Sequence, residues 1–153
     1  MSRMNYLFGL SFILFSILGL SACATHPTEA SLYERIGGME VLRAVASETI
    51  DKVSSDPKTK RSFEGVKLAP LKESVASHLC QLTGGPCQYE GETMKNAHHD
   101  ANITEAEFEL FVSTFRDVLT KHVQTREKNE LLKILAPMKR DIVTSEPNIP
   151  NKP

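Results

Sequence analysis

The sequence predicts an all-α protein with one small domain. Three observations predict it: apolar residues recur at steps of three and four, two Ser/Thr-x-x-Glu capping boxes open helical runs, and no segment alternates like a strand. At 153 residues, with 41% hydrophobic and 24% charged residues, the chain can bury one ordinary core but hardly two. Its net charge of -1 leaves no basic excess to neutralise phosphates, which argues against nucleic acid as a partner.

The first segment stands apart from the fold. After Arg3, an apolar run from Tyr6 to Leu20 is broken only by glycine and serine, matching the charged and hydrophobic regions of a secretory signal. It is short for a membrane span, which needs about 20 apolar residues. The run closes in Leu20-Ser21-Ala22-Cys23, which resembles a bacterial lipobox. That resemblance implies lipid on Cys23 and cleavage just before it. Residues 1–22 are therefore expected to be a signal peptide, and residues 23–30, small and polar with Pro27, a lipidated cysteine and flexible tether. Ala24 after the cysteine suggests the outer membrane, at its periplasmic face. The alternative is an ordinary small-x-small cleavage site and a soluble periplasmic product.

With Cys23 lipidated, Cys80 and Cys87 remain as an even pair in an oxidising compartment. A disulfide is the favoured reading, because Thr83-Gly84-Gly85-Pro86 can turn the chain back between them; two free thiols are the alternative. The spacing is not that of a CxxC metal site.

Along the domain, Ser31 to Glu34 forms the first capping box and opens a short helix that Gly37-Gly38 ends. Leu42, Val45, Thr49, Ile50 and Val53 then make one face of a helix stopped by Asp56-Pro57. A short turn carries Phe63. Pro70 suits the first turn of the next helix, on which Leu71, Val75, Leu79 and Leu82 share a face until Gly84-Gly85-Pro86 ends it. After a loop through Tyr89 and Gly91, Met94 to His99 can form only a short helix. Thr104 to Glu107 is the second capping box, opening a helix with Phe108, Phe111, Phe115, Val118 and Leu119 on its inner face. A final helix is expected to bury Leu131, Ile134, Leu135, Met138 and Ile142, with Pro137 kinking it. The tail from residue 144 to 153, with three prolines and no apolar period, reads as disordered.

Taken singly, these features are ordinary. The aromatic strip and the Leu71 to Leu82 face read as core, and His98 alone reads more readily as a surface histidine than as a ligand. The order of several motifs together says more: Leu32-Tyr33-Glu34-Arg35-Ile36-Gly37-Gly38, Phe63, Gly84-Gly85-Pro86 with Tyr89 and Gly91, Met94-Lys95-Asn96-Ala97-His98, Ile103-Thr104 and Leu135-Ala136-Pro137-Met138. Over residues 31–143 this pattern resembles the group 1 truncated haemoglobins. The resemblance implies a two-over-two helical sandwich, a haem b cofactor, and His98 as the proximal ligand of its iron. It implies a pocket lined by Ile50, Phe63, Leu71, Val75, Leu79, Met94, Phe108 and Phe111. Members of the family place a tyrosine at the position of Ile50 and often a glutamine at that of Val75; both donors are missing here. Loss of one buried hydrogen bond to a bound gas costs roughly 1 to 3 kcal/mol, about tenfold to a hundredfold in affinity. His78 is the one candidate distal polar group. Lys72 and Lys95 are candidates for the haem propionates, with solvated lysines the simpler reading.

The function expected from this is reversible binding of oxygen or another diatomic gas, nitric oxide or carbon monoxide, at the cell envelope. Two other readings stay open: a haem-dependent nitric oxide dioxygenase or peroxidase-like enzyme served by a reductase, and a structural lipoprotein without haem.

Overall fold

The computed structural model describes residues 29–144. The expected signal peptide, Cys23, the tether as far as residue 28 and the tail from residue 145 lie outside the described residues.

The chain runs α1 (Leu32–Ile36), α2 (Gly38–Ser55), a 3-10 turn at Lys60–Phe63, α3 (Leu68–Leu82), α4 (Met94–His98), α5 (Glu105–His122), α6 (Thr125–Leu135), a second 3-10 turn at Ala136–Met138 and α7 (Lys139–Ile142). Both capping boxes form. The Ser31 hydroxyl accepts from the Glu34 amide at 3.2 Å while the Glu34 carboxylate accepts from the Ser31 amide at 2.8 Å, and Thr104 and Glu107 repeat the exchange at α5. Between α1 and α2 the chain turns through Gly37 and Gly38, with φ of 108° and 71°, a region where a side chain is strained. Pro137 splits the expected last helix into α6, a 3-10 turn and α7, since it lacks the amide that an unbroken helix needs.

α2 is the centre of the molecule: it packs against both α3 and α5, while α1 and α5 rest on α6. Its inner face, Leu42, Val45, Ala46, Thr49, Ile50 and Val53, is buried throughout. With Val118, Leu119 and Leu131 it forms a core excluded from water, each large aliphatic side chain contributing about 1.5 to 3 kcal/mol by burial. Of the residues expected inside the last helix only Leu131 is fully buried; Ile134, Leu135, Met138 and Ile142 are half-buried. Among the described residues there is no strand, only an isolated bridge between Ile103 and Val143 that ties the end of the chain to the loop after α4. No described helix is long and apolar enough to cross a membrane.

Candidate functional site

The site begins with five residues of helix. α4 exists because the Thr93 hydroxyl caps it, accepting from the Asn96 amide at 3.2 Å, and because Asn96 donates from its side chain to Glu92 at 3.1 Å. One turn later, His98 Nδ1 lies 2.8 Å from the Met94 carbonyl oxygen. A carbonyl only accepts, so Nδ1 is the donor, and in the neutral ring Nε2 keeps its lone pair. Half-buried His98 thus presents one free nitrogen in a fixed tautomer, which is what a single axial ligand requires. His99 is turned to solvent, its Nδ1 2.7 Å from Asp100.

α4 packs mainly on α7, while His78 of α3 and Met94 of α4 line one small cavity. Leu71 and Val75 of α3, Phe63 of the 3-10 turn, Met94 of α4, and Phe108 and Phe111 of α5 are all half-buried. Ile50 and Leu79 sit deeper: Ile50 is closed off on α2, and Leu79 belongs to the protein's own core beside Cys80 and Phe115. Phe111 stacks on Phe115 with ring centres 6.2 Å apart, and the Lys139 ammonium lies 5.5 Å from the centre of the Phe108 ring.

His78 is already engaged. Its ring stacks on Tyr89 at 4.4 Å, and the two line a cavity of about 190 Å³ together with Gly91, Glu92, Thr93 and Met94. Burial holds the His78 imidazole below its ordinary pKa, favouring the neutral ring. Lys72 is also spoken for, 2.6 Å from Asp51, whereas Lys95 is exposed. The expected cysteine pair is joined: Cys80 and Cys87 form a disulfide with Cα atoms 5.8 Å apart.

Three features escaped sequence reasoning. Arg61, beside Phe63, reaches across to the start of α5, donating to the Asn102 carbonyl at 2.8 Å and to Glu107. Burial opposes ionisation of Glu107, but donors from Thr104 and Arg61 outweigh it and hold the carboxyl below its usual range. The capping box marked Glu107 but nothing marked Arg61, 46 residues earlier. The second feature is the Tyr89 stack. The third is Thr49: Thr59 and Thr83 donate their buried hydroxyls to the Val53 and Leu79 carbonyls, while the Thr49 hydroxyl, next to Ile50, is buried with no partner.

A haem suits this set. Large apolar side chains from four elements stop half-buried, although among the described residues the only large apolar side chain left exposed is Val66. A flat apolar ring would complete their burial, and the lone imidazole suits a metal whose other ligands come from a macrocycle. Among the described residues no three His, Cys, Asp or Glu side chains converge as a protein-only metal cage. A larger open hollow, about 670 Å³, lies on the outer face of α2 around Glu48, Asp51 and His122, but its lining is polar. Glu48 there is paired with Lys121 and His122, so no free group remains to do chemistry.

A lone half-buried imidazole on a short helix, in an all-helical domain with a set of half-buried apolar side chains, suits a cofactor-binding helical protein of the globin class. The sequence matches the bacterial-like globin family over residues 31–144, and the chain belongs to that family. It is 33% identical over 118 residues to a group 1 truncated haemoglobin of Mycolicibacterium paratuberculosis, covering 76% of this chain and 87% of that protein. It is 25% identical to the group 1 truncated haemoglobin of Tetrahymena pyriformis, covering 74% of this chain and 94% of that one. The fold superposes on the crystal structure of the Tetrahymena pyriformis truncated haemoglobin in its Fe(III) form with a TM-score of 0.70, at 24% identity, covering 76% of this chain and all (100%) of the other. A 2/2 haemoglobin of Synechococcus gives a TM-score of 0.69 at 23% identity, covering 74% and 98%. The fold is therefore the two-over-two helical sandwich of the truncated haemoglobins, and the cofactor of a globin is haem with its iron.

Proposed function

We propose that the domain is a haem globin that reversibly binds a diatomic gas at the cell envelope, with His98 as the proximal iron ligand. The observation that carries this is the His98 Nδ1 to Met94 carbonyl hydrogen bond, which points a deprotonated Nε2 away from its own helix. When bound, haem supplies the metal that takes the gas. The chain's own residues supply the axial nitrogen, the apolar walls at Leu71, Val75 and Phe63, and exclusion of water.

The polar side chains nearby favour binding over catalysis. Ile50 and Val75 carry no donor, and His78 is stacked on Tyr89 rather than free. Oxygen is accordingly held roughly tenfold to a hundredfold less tightly than where a buried donor reaches it, whereas carbon monoxide and nitric oxide depend less on such help. The dioxygenase or peroxidase reading needs a distal polar group, and its candidate, His78, is stacked on Tyr89; a reductase partner is needed only under that reading.

The test is the visible spectrum of the protein reconstituted with haem, reduced and exposed to carbon monoxide, beside His98→Ala. A strong Soret band that shifts with the gas in wild type and is altered or lost in the variant is expected. No haem uptake by a folded wild type would leave the structural lipoprotein as the better account.

We place the protein, by the same reading, at the periplasmic face of a membrane through lipid on Cys23. Support comes from the Cys80 to Cys87 bridge, since disulfides persist in oxidising compartments. Cys23→Ser should move the protein from the membrane fraction to the soluble one; retention in the membrane refutes the anchor.

A further inference from the structure

Between α3 and α4 the chain makes a loop, residues 83–93, that is stitched to α3 more heavily than a connection of its length requires. The Cys80 to Cys87 bridge closes it, the Ser77 hydroxyl donates to the Gln88 carbonyl at 3.4 Å, and the Tyr89 amide donates to the Gln81 side-chain oxygen at 2.5 Å. The Tyr89 ring has two close neighbours. His78 stacks on it at 4.4 Å, and Gly91 comes so near that a Cβ there would stand 2.3 Å from the phenolic oxygen. A larger residue at 91 would force the ring to shift. Gly85 is under similar pressure, since a Cβ would stand 2.5 Å from Cys80 Sγ.

The contacts continue into α4. The Tyr89 hydroxyl donates to the Glu92 carbonyl at 3.0 Å, and the Glu92 carboxylate accepts from Asn96 in the first turn of α4 at 3.1 Å. The next turn holds His98, fixed by the Met94 carbonyl, and Met94 lines the same cavity as His78 and Tyr89. A helix of five residues is too short to hold its own direction, so its orientation comes from what is attached to its ends. At its C-terminal side α7 packs against it; at its N-terminal side the attachment is this loop.

We propose that Tyr89 is the positioning residue for the His98 imidazole: packed against His78 and Gly91 and tied to α3 by the Cys80 to Cys87 bridge, it sets the direction from which Nε2 meets the haem iron. This rests on His98 being the proximal ligand. Neither Tyr89 nor the bridge touches the ligand; both act through Glu92, Asn96 and the Met94 carbonyl.

The experiment uses the haem-loaded full-length protein and two readouts: the iron–histidine stretching band of the ferrous form by resonance Raman, and the rate of haem loss to an excess of an apoglobin acceptor. Tyr89→Ala should shift or broaden the band and speed haem loss by about tenfold or more, as for loss of an outer-shell partner of a metal ligand. Tyr89→Phe keeps the stack but removes the bond from the hydroxyl to the Glu92 carbonyl, and should shift the band in the same sense as Tyr89→Ala by a smaller amount. Cys87→Ala should change the band in the same sense as Tyr89→Ala, and the double variant should lose little more than either alone, because both act through one loop. If Tyr89→Ala fails to fold, Cys87→Ala decides. An unchanged band with haem loss within about twofold of wild type, in whichever variant decides, overturns the inference while leaving His98 ligation standing. A wild type that binds no haem, or shows no iron–histidine band, overturns the ligation reading and this inference with it.

Discussion

The buried core and the half-buried apolar set are held together differently. In the core the protein closes on itself: Leu42, Val45, Ala76, Cys80, Val118, Leu119 and Leu131 are each 0% exposed. Phe63, Leu71, Val75, Met94, Phe108 and Phe111 stop half-buried, and the elements that carry them are linked by a disulfide, an aromatic stack and the Arg61 to Glu107 ion pair. The difference teaches how a small chain can leave apolar side chains short of full burial. Such side chains hold neighbouring helices together less, so specific directional links take over part of that work.

The largest expected effect lies in the buried core. Leu119→Ala removes a side chain from the centre of the core and should destabilise the protein by about 2 to 5 kcal/mol, in urea unfolding, with or without haem. A loss well under 1 kcal/mol would break the claim that the core closes on itself. Among the elements that carry the half-buried set, Thr104→Ala removes the α5 cap and one donor to Glu107, and should cost about 1 kcal/mol in the same measurement.

That link also gives the protein an acid limb. Because the folded state holds the Glu107 carboxyl below its ordinary value of 4.5, the unfolded chain binds the proton first, and stability contributed there is present above about pH 4.5 and lost as pH falls through the folded value. Glu107→Gln should flatten that part of the stability profile. A profile that Glu107→Gln leaves equally steep places the acid sensitivity elsewhere.

Similar in size to the loss of the α5 cap, but opposite in sign, is the effect of Thr49. Its unpartnered hydroxyl is a cost in the haem-free protein, so Thr49→Val should stabilise that form by about 1 kcal/mol. A destabilised variant would show that the hydroxyl has a partner after all. Smallest on stability, and sharpest for the comparison, is His98→Ala in the haem-free protein: a shift within about 0.5 kcal/mol, although the same change is expected to abolish or alter haem ligation. A larger loss would mean that His98 holds α4 together rather than serving a ligand.

Much of this architecture is legible in the residues alone. The capping boxes at Ser31 and Thr104, the buried face of α2 and the Phe115, Val118 and Leu119 part of the α5 face fall where their residues predict, while Phe108 and Phe111 stop half-buried. The motif order leads to the family, and with it to the fold. The clasp of Tyr89 by His78, the reach of Arg61 to Glu107 and the isolation of the Thr49 hydroxyl are not legible there, because nothing in their spacing distinguishes them from solvated or ordinary core residues.

What the sequence by itself determined was local: where helices begin and end, which face of each is apolar, and that His98 sits one turn from the Met94 carbonyl. Caps, turns and periodicity act over three or four residues, and three or four residues of sequence are enough to specify them. Only the tertiary structure decided which apolar residues would be spent on the core and which left half-buried. That depends on the packing of α2 against α3 and α5, of α7 against α4, and on links such as the disulfide and the Tyr89 stack, none of which is a property of any one helix.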